Sequence, residues 1–209
     1  MRVPAPGAGA GHPSCSALPG FSKRTSRSDR TPVLLLQGAF AGPESMTSLG
    51  DTLREDGFEP HYPIRGLHLP LVPAARDRRI AGAVEEIRQE TGEEPFAVGW
   101  SWGGMSGRRH ARRGLVTMGS PLALPDRHAR HALPTVSLYS PADVVILPPL
   151  SMVSGQKVHS EALSPVLHWD LPAHPGVIRR VRQALNDLRI QEQAVAPAPA
   201  GRSRRRQSA

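Results

Sequence analysis

Cysteine is nearly absent from this chain of 209 residues: Cys15 stands alone, so no intrachain disulfide can form and nothing demands an oxidising compartment. Long apolar runs are missing too. No stretch approaches the ~20 apolar residues of a membrane span. Met1–Ala10, rich in Pro, Gly and Ala, has no continuous apolar segment after Arg2 that would make a signal peptide. These absences lead to the expectation of a cytoplasmic protein with no membrane span. The formal net charge of +8 first suggests a nucleic-acid partner, but it is unevenly spread. Residues 1–30 hold Arg2, Lys23, Arg24, Arg27 and Arg30 against Asp29, and residues 191–209 hold Arg202, Arg204, Arg205 and Arg206 against Glu192. The basicity therefore belongs to the two ends, and 31–190 is close to neutral.

Large apolar groups are also scarce at the ends. Such compositions cannot bury enough surface to offset chain entropy, so a disordered basic arm (1–30) and a disordered Arg-rich tail (191–209) are expected to flank one domain, 31–190. Polybasic tails can hold nucleic acid or an anionic surface nonspecifically, though solvated tails are the plainer reading.

Within 31–190 the pattern alternates. Val33–Leu36, bounded by Pro32 and Gly38, reads as a strand buried on both faces. Met46, Leu49 and Leu53 mark a helix closed by Gly57, and Phe58–Tyr62 a weaker strand. Pro63–Ala75 reads as loop, and Arg76–Glu90, with Ile80, Val84 and Ile87 on one face, as an amphipathic helix. Strands follow at Phe96–Val98, Gly114–Gly119, Thr135–Ser140 and within Val158–Leu163, with a closing helix over Pro175–Ile190. Strand and helix alternating through short connections predict an α/β fold: a doubly wound, mainly parallel sheet of about six strands flanked by helices. In such sheets the working residues sit at the carboxyl ends of strands.

One stretch organises the rest. Pro95–Val98 runs into Gly99-Trp100-Ser101-Trp102-Gly103-Gly104, a Gly-x-Ser-x-Gly pattern that places a serine on a strained strand-to-helix turn. Strand and helix pass so close there that Gly99 and Gly103 stand where a Cβ would collide. Ser101, Asp143 and the histidines before the last helix all follow strands, in the order that puts them on one edge.

Several further motifs accompany the elbow: Val33-Leu34-Leu35-Leu36-Gln37-Gly38-Ala39-Phe40, Val116-Thr117-Met118-Gly119-Ser120-Pro121, Ser137-Leu138-Tyr139-Ser140-Pro141-Ala142-Asp143, and the segment around His168. With them, residues 32–188 resemble a small member of the α/β-hydrolase superfamily, in its lipase/esterase branch. The resemblance implies a serine hydrolase cleaving carboxylic esters, with no cofactor and no metal. It implies Ser101 as nucleophile, Asp143 as orienting acid, His168 as base, and the backbone N–H groups of Ala39 and Trp102 as the oxyanion hole. His174, next to Pro175, is the alternative base, its plainer role being a cap or loop residue.

Other readings compete at several positions. Asp143 could be an ordinary turn residue, Asp170 a competing acid, and His128 with His131 a metal pair if helical, though no third ligand matches. Trp100 and Trp102 could line an acyl pocket or belong to the core. The segment Met105–Arg113 carries four arginines and offers only Met105 and Ala111 as an apolar face, which predicts weak support for the elbow. That feature motivates the alternative of a catalytically degenerate hydrolase acting as a small-molecule or protein binding module. Leu122–Pro134 is too short for a lid, an open site that favours small or flexible esters over interfacial lipolysis.

Overall fold

The computed structural model describes residues 30–68, 73–129 and 133–195; the rest of the two expected disordered ends, and His131, lie outside the described residues. Six strands form one parallel sheet in the order β2-β1-β3-β4-β5-β6. They are β1 (Thr31–Leu36), β2 (Phe58–His61), β3 (Phe96–Trp100), β4 (Leu115–Met118), β5 (Thr135–Tyr139) and β6 (Val158–Ala162). The helices are α1 (Thr47–Glu55), α2 (Pro73–Thr91), α3 (Trp102–His110), α4 (Pro148–Ser151) and α5 (Pro175–Val195).

Alternation along β1 explains the layering. Val33 and Leu35 pack with Leu49 and Leu53 of α1 and Val181 and Leu185 of α5, whereas Leu34 and Leu36 pack with Ile80, Val84 and Ile87 of α2. A parallel strand covered by helices on both faces must be apolar on both, which is why β1 and β3 read as unbroken apolar runs. The register pairs Leu36 with Gly99 and Trp100 with Met118, so β1, β3 and β4 end side by side. The loops that leave them share one edge, the arrangement expected from the sequence.

Element bounds differ in places. A 3-10 turn, Pro43–Met46, precedes α1, and α2 begins at Pro73, ahead of the expected Arg76. The short α4 and a 3-10 turn at His168–Asp170 lie in segments with no periodic pattern to reveal them. Helix α5 runs past Ile190 to Val195, into the segment assigned to the tail. The cause is a distant partner: Arg113 donates from Nε to Glu192 at 2.9 and 2.8 Å and stacks 4.6 Å from the Phe96 ring centre, fixing the last turns of the helix. No helix among the described residues is long and apolar enough to cross a membrane.

Candidate active site

Ser101 sits between β3 and α3 with φ 56° and ψ −126°, a conformation that costs a non-glycine residue energy and persists only where its surroundings hold it. Its N–H donates to the Met118 carbonyl at 2.9 Å, which ties the turn to β4. The expected collisions are present: a Cβ on Gly99 would strike the backbone of Gly104, and one on Gly103 the Leu36 carbonyl. Helix α3 is not loosely supported, contrary to the expectation from its arginines. Its seat is made by three glycines: Gly103 lies against the Leu36 and Gln37 backbone, and Gly104 and Gly107 leave room for the side chains of Ser120 and Leu115, so few apolar side chains of the helix are needed. Two of the arginines hold neighbours: Arg109 pairs with Asp126 (2.8 Å) and Asp77 (3.1 Å), and Arg108 donates to the Leu122 carbonyl at 2.6 Å.

The structure brings Ser101, His168 and Asp143 together. His168 Nε2 is 3.0 Å from Ser101 Oγ, and His168 Nδ1 is 2.7 Å from Asp143 Oδ2. All three side chains are buried. Asp143 also keeps its turn role, because its other oxygen, Oδ1, accepts the N–H groups of Val145 (3.0 Å) and Ile146 (2.8 Å). That second pair of bonds fixes the carboxylate plane and leaves Oδ2 aimed at the imidazole.

Three supports of this arrangement escaped the sequence reading. Trp100 is core rather than pocket lining, 3 % exposed, and its indole N–H donates to the His168 carbonyl at 3.1 Å. Ser140 clasps the acid loop to the histidine loop, its hydroxyl donating to the Val166 carbonyl (2.7 Å) and accepting the Val166 N–H (2.8 Å). Gly119, at φ +51°, lies beneath the Asp143–His168 bond, and a Cβ there would stand 2.6 Å from Asp143 Oδ2. The residue types and their places after strands were visible, but the contacts cross from one loop to another and leave no local pattern.

The two residues expected to offer backbone donors, Ala39 and Trp102, lie on segments next to the same serine. Trp102 opens α3, where an N–H has no intrahelical acceptor and the helix dipole favours negative charge. Ala39 lies in a turn closed by the Ala41 N–H on the Gly38 carbonyl at 3.2 Å. A Cβ on Gly38 would be 3.1 Å from the Ser101 Cβ, so this turn passes in contact with the serine.

The competing residues are placed elsewhere. His174 caps α5: its Nδ1 accepts the Gly176 N–H at 3.2 Å. His174→Ala should therefore cost at most about 1 kcal/mol of stability and leave any turnover by the Ser101 site unchanged, a result read from a melting curve beside initial rates. Asp170 is exposed, its carbonyl accepting from Ala173 and His174. His128 is exposed beside Arg127, and among the described residues no cluster of three His, Cys, Asp or Glu side chains could hold a metal.

The sheet order, the serine turn and the placement of acid and histidine define the α/β-hydrolase fold. Solved structures agree. The chain is similar to a Butyrivibrio proteoclasticus protein solved with ferulic acid bound (10% identity, TM-score 0.64, 82% of this chain and 92% of that one). A Xanthomonas campestris serine hydrolase described as lacking a lid matches with 14% identity and a TM-score of 0.57 over 82% of this chain and 85% of its own. A Paleococcus ferrophilus monoacylglycerol lipase matches with 15% identity and a TM-score of 0.56 over 78% and 95%. No protein-family model and no curated protein sequence matches the chain.

Proposed function

We propose that the protein is a serine hydrolase that cleaves carboxylic esters through an acyl-enzyme on Ser101. The observation that carries this reading is the continuous chain of hydrogen bonds from Ser101 Oγ through His168 to Asp143 Oδ2. His168 Nε2 takes the hydroxyl proton as Oγ attacks the ester carbonyl, and Asp143 stabilises the imidazolium that forms. The Ala39 and Trp102 N–H groups receive the negative oxygen of the tetrahedral intermediate. Its collapse expels the alcohol, which takes the proton from His168, and water then repeats the sequence to release the acid.

The rim of the site supports an ester with an apolar acyl group. Phe40, Val144, Leu167 and Trp169 remain 65, 79, 56 and 63 % exposed, each on a loop that leaves the carboxyl end of a strand. The described part of Leu122–Pro134 forms turns and bends, in keeping with an open site.

The test is fluorophosphonate labelling of the purified protein beside Ser101→Ala, with hydrolysis of p-nitrophenyl esters of graded chain length. Labelling of the parent protein at Ser101, none in the variant, and a loss of hydrolysis in the variant of about 10⁴-fold or more are expected. A folded parent protein that takes no label overturns the hydrolase reading and leaves the binding module in its place.

A further inference from the structure

We infer that His68, held as one neutral tautomer by Arg76, is the positioning residue of the oxyanion turn. The inference rests on the reading of Ser101 as nucleophile and of Ala39 as an oxyanion donor, and it starts from strain. In the turn Gly38–Ala41 the third residue is Phe40, at φ 61°. That sign belongs to a type II turn, where Gly or Asn is the ordinary occupant; a phenylalanine stays there only if its surroundings impose it.

His68 makes the imposing contacts on both flanks of Ala39. Its carbonyl accepts the Phe40 N–H at 2.8 Å, and its N–H donates to the Ala41 carbonyl at 2.9 Å. The imidazole Nδ1 meets the Gln37 carbonyl at 2.6 Å. With the Phe40 N–H given to His68 and the Ala41 N–H to Gly38, the Ala39 N–H, like that of Gly38, has no backbone acceptor among the described residues. It is thereby left for the substrate oxygen.

The tautomer follows from the partners. Arg76 Nη1 lies 3.1 Å from His68 Nε2, and a guanidinium can only donate, so Nε2 accepts and Nδ1 carries the proton given to Gln37. Both side chains are buried, and burial, reinforced by the Arg76 charge, pushes the His68 imidazole below the ordinary histidine range. Arg76 is itself fixed by Asp77 (3.1 Å), whose other oxygen holds Arg109 of α3 at 3.1 Å. One chain of charged and polar groups thus joins the Ala39 turn to the helix whose first residue is Trp102. Gln37 completes the attachment, its amide donating to the Ile64 (3.0 Å) and Gly66 (3.1 Å) carbonyls of the loop that delivers His68.

Three measurements test this. Nitrogen-detected NMR of the His68 ring should report Nδ1 protonated and Nε2 unprotonated at neutral pH; the reverse tautomer overturns the inference. In His68→Leu, amide exchange across 38–41 should accelerate at least about tenfold relative to the sheet, and equal protection overturns it. Per active site titrated by fluorophosphonate, the acylation rate of His68→Leu should fall about 10- to 100-fold with KM little changed. His68→Asn, whose amide can donate to the Gln37 carbonyl in place of Nδ1, should recover most of that loss. A merely structural role would lower the titratable fraction and spare the rate per site, and that result also overturns the inference. Should the parent protein take no label, the hydrolase reading fails by itself, while the tautomer and the exchange rates still decide the role of His68.

Discussion

Asp143→Asn is expected to lower kcat/KM for an activated ester about 10⁴-fold while leaving the fold intact. The size of the effect comes from the second set of bonds that Asp143 makes. Oδ1 accepts the N–H groups of Val145 and Ile146, so an asparagine must keep its carbonyl oxygen on that side. Its NH₂ group then faces His168 Nδ1, where Oδ2 stood at 2.7 Å. A donor facing Nδ1 favours the tautomer with its proton on Nε2, and that imidazole cannot accept the proton of Ser101. Initial rates with a p-nitrophenyl ester, beside a melting curve, check the result. A variant within tenfold of the parent protein would show that Asp143 is a turn residue and that the imidazole does not depend on it.

Gly119→Ala should be the other severe change, although Gly119 touches no substrate. The added methyl would stand 2.6 Å from Asp143 Oδ2, 2.7 Å from Leu171 Cδ1 and 3.4 Å from His168 Nδ1, on a backbone at φ +51°. Both the acid and the histidine loop must shift, because the neighbours are a buried carboxylate and a buried leucine. Stability should fall by about 1–3 kcal/mol. The rate per folded molecule should fall at least about 100-fold, since a displacement near 1 Å is enough to misalign the proton transfer. Circular dichroism melting and active-site titration separate the two losses. A variant with the parent rate per titrated site would mean that the Asp143–His168 bond is not needed for turnover.

The apolar rim gives the proposed ester hydrolysis its direction. If the exposed apolar side chains Phe40, Val144, Leu167 and Trp169 cover the acyl group of the proposed substrate, affinity should rise with each methylene buried, about 0.8 kcal/mol for one fully buried. The expectation of small or flexible esters, drawn from chain length alone, leaves out these side chains. The graded p-nitrophenyl series therefore reads the preference as well as the activity.

Much of the architecture was legible because its causes are local. Unbroken apolar runs at Val33–Leu36 and Phe96–Val98, the spacing of Ile80, Val84 and Ile87, and the glycines around Ser101 each follow from a single element's geometry. They were sufficient for an α/β fold with a parallel sheet of about six strands. Ser101 was marked most clearly, since its turn needs small neighbours on either side of it in sequence. The choice between His168 and His174 needed the resemblance.

Tertiary structure decided what depends on contacts between distant loops. Sequence presented His68 as one residue in a proline-containing loop, and Arg76 as the start of an amphipathic helix; what buries them is contact between distant segments, His68 against the Gln37 carbonyl at the end of β1 and Arg76 against His68. The arginines of α3 read as a weakness because periodicity measures apolar faces only, whereas this helix is held by close packing at its glycines and by carboxylates from α2 and from the Asp126 segment. Asp143 and His174 show the same limit: an aspartate after Pro141 and a histidine before Pro175 are each compatible with turn, cap or catalysis. Their partners, His168 in one case and the Gly176 N–H in the other, could not be read from the chain, because hydrogen bonding is fixed by distance and direction in three dimensions rather than by spacing along the chain.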